Sequence, residues 1–473
     1  MNFRTVALFM IGILIAVSAI GQDISIFSKN DNQKIVFNRG GLSSFNVETR
    51  GKIELSDDDK DIKSMSPDGY LEITKTVFGS KRTIVVSPQG NGLKREYYEG
   101  RTAVAFEPEG RKWLSEILPE ILRSTTIGAE SRVNRFYKQG GTKGVLDEIT
   151  KLESDYVKAH YSNALMNLSI PVSDYATIIN RVAESMDSDH YLSEFLRKSM
   201  EKFLQSKEAT TAVFAATKKL DSDHYKTEVI KEALRSGPTT LDNVKIIMDA
   251  TSNMSSDHYK TEVITTLLKQ NNLTDAIIAE MINATKSIDS DHYRTVVLNK
   301  ALDKQGLSAV SFQKVLESVS DIGSDHYKTE VLTNLLQNNL SPEVLSNLIA
   351  IATSIESDHY ATVVANEIMK RQTMNDDVFQ KLLDTMGRHD SDYYVATFLK
   401  SAMDRPNLTK QNIVSILQAA GNIESDHYIA EVLTEAAPRI KALNDNNLKD
   451  TYRQVAKKIE SETYYGRALR AID

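Results

Sequence analysis

The sequence predicts a mainly α-helical protein, an α-solenoid of about ten 34-residue two-helix repeats that follows a small antiparallel β domain. Three observations predict this fold class. A Ser-Asp-His-Tyr motif or a close variant recurs ten times between residues 154 and 464, apolar residues inside each copy recur with a helical period, and residues 44–106 combine strand-like alternation with turn residues. The chain has 473 residues, which is long enough to bury a large core.

Residues 1–21 predict a secretory signal peptide. Arg4 precedes an apolar run, and the small residues Ala19 and Gly21 stand at the positions that a signal peptidase reads, so cleavage is expected before Gln22. An uncleaved N-terminal membrane anchor is the alternative. Both place the remainder outside the cytoplasm, either periplasmic or secreted. Residues 22–43 are polar and rich in Gly, Ser and Asn, which predicts a linker.

Composition argues against several classes of partner and site. The net charge is −7, and removal of residues 1–21 takes away only Arg4, which leaves 56 basic against 64 acidic side chains. This balance argues against nucleic acid and anionic membranes as partners. Because the chain has no cysteine, disulfides, a thiolate nucleophile, a zinc-thiolate site and a lipidated cysteine are all excluded. No later stretch of sequence is apolar enough to span a bilayer.

The β domain is predicted over residues 44–106. Runs such as "FNVETRGKIEL", "GYLEITKTV" and "RTIVVS" are separated by turn sequences such as "SPDG" and "PQGNG", which predicts about five or six strands. A connecting helix is predicted over residues 107–127. It contains the only tryptophan, Trp113, at helical spacing from Ile117, and we expect it to pack the β domain against the helical region.

The α-solenoid is predicted over residues 128–473, with atypical end copies. The complete motif begins at residues 188, 222, 256, 290, 324, 357 and 425, and variants begin at 154, 391 and 461, so that successive serines are 34 residues apart except for one step of 33 and a last step of 36. The repeat is similar to those of tetratricopeptide and HEAT-type arrays. Its likeness to tetratricopeptide repeats is limited to the period and the two-helix hairpin. Residues 128–152 predict a degenerate opening hairpin.

A single copy shows why the repeats must stack. Between residues 255 and 288, Tyr259, Val263, Ile264 and Leu267 fall on one face of a helix, "QNNLT" interrupts the pattern, and a second apolar face comes after it. Two short amphipathic helices cannot bury these faces alone, so neighbouring copies must cover them.

The motif admits three interpretations. Catalysis by Ser, His and Asp is disfavoured, because adjacent residues of a helix point about 100° apart and cannot align as a relay. A shared zinc ion is disfavoured, because equivalent atoms of stacked copies are about 8–10 Å apart whereas zinc ligands lie about 2 Å from the metal. The favoured interpretation is a structural framework with no catalytic, cofactor or metal residues. Its members are Ser188, Asp189, His190, Tyr191, Ser222, Asp223, His224, Tyr225, Ser256, Asp257, His258, Tyr259, Ser290, Asp291, His292, Tyr293, Ser324, Asp325, His326, Tyr327, Ser357, Asp358, His359, Tyr360, Ser425, Asp426, His427 and Tyr428.

Each motif residue has an expected role in this framework. The serine hydroxyl is expected to cap the helix, the aspartate to face the positive end of the helix dipole, and the tyrosine to pack between copies. The histidine persists at His292 and His359, where Val296 and Val363 replace the glutamate that stands four residues later in other copies. We therefore expect a backbone carbonyl of an inter-helix turn as its partner.

An acidic stretch, "SDDDKDIKSMSPDG" over residues 56–69, is a second candidate metal site. Asp57, Asp59 and Asp61 match the first spacings of an EF-hand loop and Asp68 its last position, but Ile62 stands where that loop needs glycine. A solvated acidic turn is the favoured interpretation.

The motif order resembles a group of bacterial exported proteins. The matching pieces are "SDDDKDIKSMSPDGYLEI", "NGLKREYYEG", "GAESRVNRFYKQGG" and the Ser-Asp-His-Tyr copies, over residues 44–473. Similar modules form the extracytoplasmic part of membrane metallopeptidases of the beta-lactam-sensor type. The resemblance implies a sensing or scaffolding role in the cell envelope, and it confers no peptidase activity, because the zinc motif and the membrane helices are absent here.

The predicted function is that of a non-enzymatic exported scaffold or sensor, without cofactor. It binds a protein or peptide through the variable inter-helix loops and the exposed face of the second helices. The alternative is an accessory or hydrolytic enzyme with a site where the β domain meets the solenoid, near Trp113.

Overall fold

The computed structural model describes residues 15–19, 22–29, 32–39, 43–271 and 273–473, with side chains from residue 45 onward. The chain divides into two compact units, Met1–Tyr225 and Lys226–Asp473, and each is described by itself. The boundary falls inside the repeated region, so the first unit contains the β domain together with the first helical copies.

The β domain is an antiparallel meander. Eight strands form one sheet in the order β1-β2-β3-β4-β7-β8-β9-β10, and β5 pairs with β6 in a separate two-stranded sheet. The strands are β1 Ile15–Ala19, β2 Gln22–Lys29, β3 Asn32–Arg39, β4 Ser43–Arg50, β5 Ile53–Leu55, β6 Ile62–Met65, β7 Tyr70–Val77, β8 Ser80–Gln89, β9 Gly92–Glu99 and β10 Thr102–Val104. A two-residue turn joins β7 to β8, where Phe78 and Gly79 both have positive φ, as a hairpin turn of this length favours.

The N-terminal region differs from the predicted linker. Residues 22–29 and 32–39 are strands that pair with each other and with β4, so the sheet begins before residue 44. This segment is polar overall, which led to the linker prediction, but Asp23-Ile24-Ser25-Ile26 alternates polar and apolar residues with a period of two. Such alternation is typical of a strand. Residues 1–14, 20 and 21 of the predicted signal peptide lie outside the described residues, and both the signal peptide and the alternative anchor stay predictions.

The connecting helix is α1, Arg111–Ser124, and it covers the core of the β domain. Ile73 and Ile84, which are paired across β7 and β8, are fully buried beneath it with Leu114 and Ile121. The Trp113 ring belongs to the same core and lies 5.9 Å from the Tyr97 ring of β9. The expected contact between Trp113 and the β domain is therefore confirmed.

The rest of the described chain consists of paired helices. Each motif copy begins a first helix one residue after its serine, and these are α3 Asp155–Met166, α5 Asp189–Lys198, α8 Asp223–Ser236, α10 Asp257–Leu268, α12 Asp291–Leu302, α14 Asp325–Leu335, α16 Asp358–Arg371, α18 Asp392–Met403, α20 Asp426–Leu443 and α22 Glu462–Ile472. The second helices are α4 Tyr175–Ser185, α7 Lys207–Lys219, α9 Leu241–Ser252, α11 Asp275–Ala284, α13 Ala309–Ser320, α15 Pro342–Ala352, α17 Asp376–Met386, α19 Lys410–Ala420 and α21 Asn446–Ala456, with a short α6 Met200–Phe203 before α7. This is the predicted α-solenoid.

Two details complete the helical region. The predicted opening hairpin is one helix, α2 Ala129–Ile149, that is broken at Gly141, where φ is 60° and ψ is −157°. In the second unit, first helices pack against first helices of adjacent copies and second helices against second helices. The predicted apolar face of one copy is buried there, since Val263, Ile264, Leu267 and Leu268 have no exposed surface.

None of the helices in the described part of the chain combines the length and the apolar character that crossing a bilayer requires.

Candidate functional site

In eight copies the motif serine is the N-cap residue of its helix, but its hydroxyl does not cap. Ser324 has the extended backbone of an N-cap, with φ −81° and ψ 122°. No side-chain capping bond forms at Ser188, Ser256, Ser290, Ser324, Ser357, Ser391, Ser425 or Ser461. Ser154 does accept from Val157 N, at 3.4 Å. The predicted hydroxyl cap is therefore wrong in those eight copies.

The motif aspartate joins consecutive copies. Asp325 Oδ2 accepts the backbone N–H of Ser357 at 2.9 Å and that of Glu356 at 3.1 Å, more than thirty residues along the chain. We call this contact the Asp joint. It is formed by Asp155, Asp189, Asp257, Asp291, Asp325, Asp358, Asp392 and Asp426. The aspartate thus lies at the positive end of its own helix, as expected, and also holds the start of the next copy.

The motif histidines and tyrosines form a row of ring contacts, which we call the aromatic ladder. In the second unit it comprises His258, Tyr259, His292, Tyr293, His326, Tyr327, His359, Tyr360, Tyr393, Tyr394, His427, Tyr428 and Tyr464. Centroid distances from one copy to the next are 6.0 Å for His258–Tyr293, 5.9 Å for His292–Tyr327, 5.8 Å for His326–Tyr360, 5.9 Å for His359–Tyr394, 6.1 Å for Tyr393–Tyr428 and 5.4 Å for His427–Tyr464. In the first unit, His190 and Tyr225 are 5.9 Å apart.

The partner predicted for the histidines is wrong. Within the described residues, no turn carbonyl is hydrogen-bonded to the imidazoles of His190, His258, His292, His326 or His359, whose neighbours are tyrosine rings. All five histidines are exposed. A tyrosine ring separates successive histidines, so two imidazoles do not face each other across a space that a metal ion could fill. Among the described residues, no group of three or more His, Asp and Glu is arranged to hold a metal ion.

A column of cations that the motif pattern does not predict contacts the turn carbonyls instead. It lies four residues after the serine. Lys158 Nζ donates to Ser185 O at 2.5 Å, and Arg294 Nη2 donates to Ile288 O at 2.6 Å. Arg294 is 6% exposed, and the copies that begin at 188, 357, 391 and 425 carry Leu, Ala, Val and Ile at this position. The signal in the sequence was a Lys or Arg at one fixed position, which is occupied in Lys158, Lys226, Lys260, Arg294 and Lys328.

The acidic stretch 56–69 docks the β domain onto the first helices. Asp59 is 9% exposed and accepts from Arg132 Nε at 3.0 Å and from Arg135 Nη2 at 2.6 Å. Asp61 lies 3.2 Å from Arg95 and 2.8 Å from Arg111. The predicted solvated turn is therefore wrong for Asp59 and Asp61, because arginines from three segments hold these two carboxylates, whereas Asp57 and Asp68 are exposed. The arginines occupy oxygens of Asp59 and Asp61 that an EF-hand would direct at calcium.

Arg132 lies at the centre of this junction, with 2% of its side chain exposed. It donates to Glu148 Oε1 at 2.7 Å, to the Tyr161 hydroxyl and to Leu122 O at 3.4 Å, in addition to Asp59. Burial opposes its charge, but Tyr161, Asp59 and Glu148 outweigh burial and raise the pKa of Arg132 above its ordinary value. Burial also raises the pKa of the Tyr161 phenol. The guanidinium therefore fastens three helical segments and the acidic stretch together.

A cleft of about 430 Å³ opens beside this junction within the first unit. Its walls include Lys52, Ile53, Glu130, Ser131 and His160. One edge of the His160 ring is exposed, while the protein on its other side desolvates the imidazolium and lowers the pKa of His160, an effect that Glu130 partly offsets. The Ser131 hydroxyl donates to Gly128 O at 2.9 Å, so it is turned towards the backbone. Trp113 is buried in the core of the β domain and does not line this cleft.

A second cleft, of about 440 Å³, lies between the second helices α9 and α11. Its walls carry Lys245, Asp249, Glu280 and Lys286, and Lys245 and Lys286 are exposed. These positions differ from copy to copy in the sequence, unlike the motif.

Comparison with known proteins gives no family. No family model and no curated protein matches the sequence. Among solved structures, one similar chain is titled "Circular tandem repeat protein with novel repeat topology and enhanced subunit contact surfaces", with 10% identity, a TM-score of 0.15 and coverage of 77% of this chain and 78% of that one. Another is titled "Computational Design of Self-Assembling Cyclic Protein Homooligomers", with 12% identity, a TM-score of 0.10 and coverage of 70% and 97%. TM-scores this low carry no argument about fold or function.

Proposed function

We propose that the protein is a non-enzymatic exported scaffold or sensor that binds a protein or peptide in the cell envelope. One observation carries the proposal. The motif aspartates are engaged in joints between copies, whereas the positions that vary are exposed on the second helices and line the cleft between α9 and α11. In stacked repeats, such a varying exposed face is what recognises a partner. The resemblance to extracytoplasmic modules of beta-lactam-sensor-type proteins agrees with this role.

Affinity capture of residues 22–473 from envelope extracts tests the proposal. One variant replaces Lys245, Glu280 and Lys286 with alanine and so removes charge from the walls of the α9–α11 cleft. A matched control replaces Asp57, Lys63 and Lys81, which are exposed residues of the β domain. We expect the first variant to lose specific partners that the control retains. Equal capture by all three proteins would contradict this surface.

The second candidate is a hydrolytic or accessory enzyme that acts in the cleft beside the β domain. The observation that favours it is the presence of His160, Ser131 and Glu130 in one cleft wall. It predicts hydrolysis of ester, peptide or phosphate substrates by the purified chain, which His160→Ala abolishes while Lys63→Ala does not. The geometry gives it less support, because the Ser131 hydroxyl donates to a backbone carbonyl and not to the imidazole.

A further inference from the structure

A column of exposed carboxylates accompanies the aromatic ladder in the second unit. These residues stand immediately before the motif serines, and we call them the acidic column: Asp289, Glu356, Asp390, Glu424 and Glu460. All five are exposed. Within residues 226–271 and 273–473, none of the five carboxylates forms an ion pair. They differ in this from Glu262 and Glu431 on the same helices, which pair with Lys231 and Lys400, both at 2.8 Å.

The sequence places the ladder close to this column. The motif histidine is the second residue of its helix, and Cα–Cβ bonds in a helix tilt towards the N-terminus. His292 is exposed and stands at the helix end that directly follows the turn with Asp289. The same relation holds for His359 and Glu356. Each such copy presents an exposed histidine and, three residues before it, an exposed carboxylate that forms no ion pair.

We call the aromatic ladder and the acidic column together the stripe. Its electrostatic potential favours ligands of one charge. From the residue before the motif serine to the tyrosine, the seven copies of the second unit contain twelve Asp and Glu residues and no Lys or Arg. The Asp joints of Asp325 and Asp392 use neutral N–H groups, which leaves the charge of these carboxylates in place. Two others lie against basic side chains, Asp257 against Lys260 at 3.3 Å and Asp358 against His389 at 2.7 Å. Such a field attracts cations and repels anions. Tyr393, which is 53% exposed, adds a second attraction for the same ligands, because the quadrupole of a tyrosine ring binds ammonium and guanidinium groups.

We propose that the aromatic ladder and the acidic column together bind an extended basic segment of a partner polypeptide, with Lys or Arg side chains seated on the rings and their charged heads against the carboxylates. The proposal rests on the proposed function and names the chemistry of the partner. It places recognition on the first helices, separate from the α9–α11 cleft.

The repeat spacing sets the sequence of that segment. Adjacent helices pack about 8–10 Å apart, and an extended chain advances about 3.3 Å per residue, so one repeat corresponds to about three residues. A polyproline II segment, which has three residues per turn and a rise of about 3.1 Å, fits the same spacing. A cation at every third position would therefore meet one ring and carboxylate per copy. Each contact is weak alone, and several along one chain act as a multivalent ligand.

Fluorescence anisotropy with the full-length chain and a labelled synthetic peptide tests the proposal. The probe carries lysine at every third position among Pro, Ala and Ser, and the control peptide has the same composition with its lysines clustered. We expect the spaced peptide to bind about tenfold more tightly than the clustered one, with affinity that falls as salt increases. Equal affinity for the two peptides would overturn the proposal.

Two variants assign the binding to the stripe. The first replaces the acidic column with amides, as Asp289→Asn, Glu356→Gln, Asp390→Asn, Glu424→Gln and Glu460→Gln, and should weaken binding of the spaced peptide by about tenfold or more. The matched control neutralises five exposed carboxylates elsewhere in the second unit, at Asp303, Asp321, Glu343, Asp377 and Asp404, and should change affinity by less than about twofold. Equal loss in both variants would show non-specific charge attraction and overturn the proposal.

This result is separable from failure of the proposed function. If the α9–α11 variant loses partners in the capture experiment while the acidic-column variant binds the spaced peptide like the unaltered chain, the stripe is excluded and the scaffold role stands. If capture is unchanged in the α9–α11 variant but lost in the acidic-column variant, the stripe is supported and the cleft is not the recognition surface. Circular dichroism of each variant verifies that its helices are intact.

Discussion

The junction of the β domain and the joints between helical copies both use an aspartate to bridge segments that are distant in sequence, yet they use it differently. At the junction, Asp59 faces the guanidinium groups of Arg132 and Arg135 in a buried network. At a joint, Asp325 faces two backbone N–H groups at a partly exposed helix start. The first contact occurs once in the described chain, and the second recurs in eight copies.

The difference indicates where each region is vulnerable. A buried charge that loses its partner is strongly destabilising, because the remaining charge is neither solvated nor compensated. A lost joint leaves neutral N–H groups that water can partly reach, and copies that contact only their neighbours confine the damage. We therefore expect one residue to dominate the stability of the first unit, and the stability of the second unit to be shared among its copies.

The largest expected effect is that of Arg132→Ala. It leaves Asp59 and Glu148 in a buried site with fewer cations, so the free energy of unfolding of the first unit should fall by about 3–5 kcal/mol in urea denaturation. The control Arg50→Ala removes an exposed pair with Glu48 and should lower it by less than about 1 kcal/mol. A similar loss of unfolding free energy in the two variants would mean that the buried junction contributes no more to stability than an exposed ion pair does.

The next effect in size concerns a joint. Asp325→Ala removes the acceptor of the N–H groups of Glu356 and Ser357, so the second unit should lose about 1–3 kcal/mol, and amide hydrogen exchange should accelerate at these two residues. Asp325→Asn keeps an acceptor oxygen and should restore part of the loss. Unchanged exchange at both amides in the alanine variant would contradict the joint.

A smaller effect is expected at the aromatic ladder. His258→Ala removes ring contacts with Tyr259 and Tyr293 at 5.2 and 6.0 Å and should lower stability by about 0.5–1.5 kcal/mol. His258→Phe keeps a ring and should retain most of that stability. Tyr393 also supplies a ring at the equivalent position of its own copy, where it contacts Tyr394. Addition of EDTA or zinc should leave the melting temperature unchanged. A change in melting temperature on addition of EDTA would indicate that the histidines bind a metal ion.

The helical copies could be read from the sequence because their signals are local. A 34-residue period, an apolar face such as Val263 to Leu268, and a turn between the helices all lie within one short window. The contacts of the motif were misassigned because their partners lie a whole copy away, as in the bond from Asp325 to Ser357. Arg132 was missed for the same reason, since Asp59 and Glu148 come from separate elements and no spacing along the chain marks them.

The smallest expected stability effects concern the serines that precede helices in the second unit. Some of these serines cap the helix with their hydroxyl, and the motif serines do not. The Ser341 hydroxyl accepts from Val344 N at 3.3 Å at the start of α15, whereas the Ser324 hydroxyl makes no such bond at the start of α14. Ser341→Ala should therefore cost about 1 kcal/mol of stability, and Ser324→Ala less than about 0.5 kcal/mol, in paired urea denaturations. Glycine at each position provides the control, because it tolerates the extended N-cap backbone and differs little from serine there. If Ser324→Ala costs as much as Ser341→Ala, the motif hydroxyl caps its helix in solution, and the joint through Asp291 then shares its role at this helix start with a local bond.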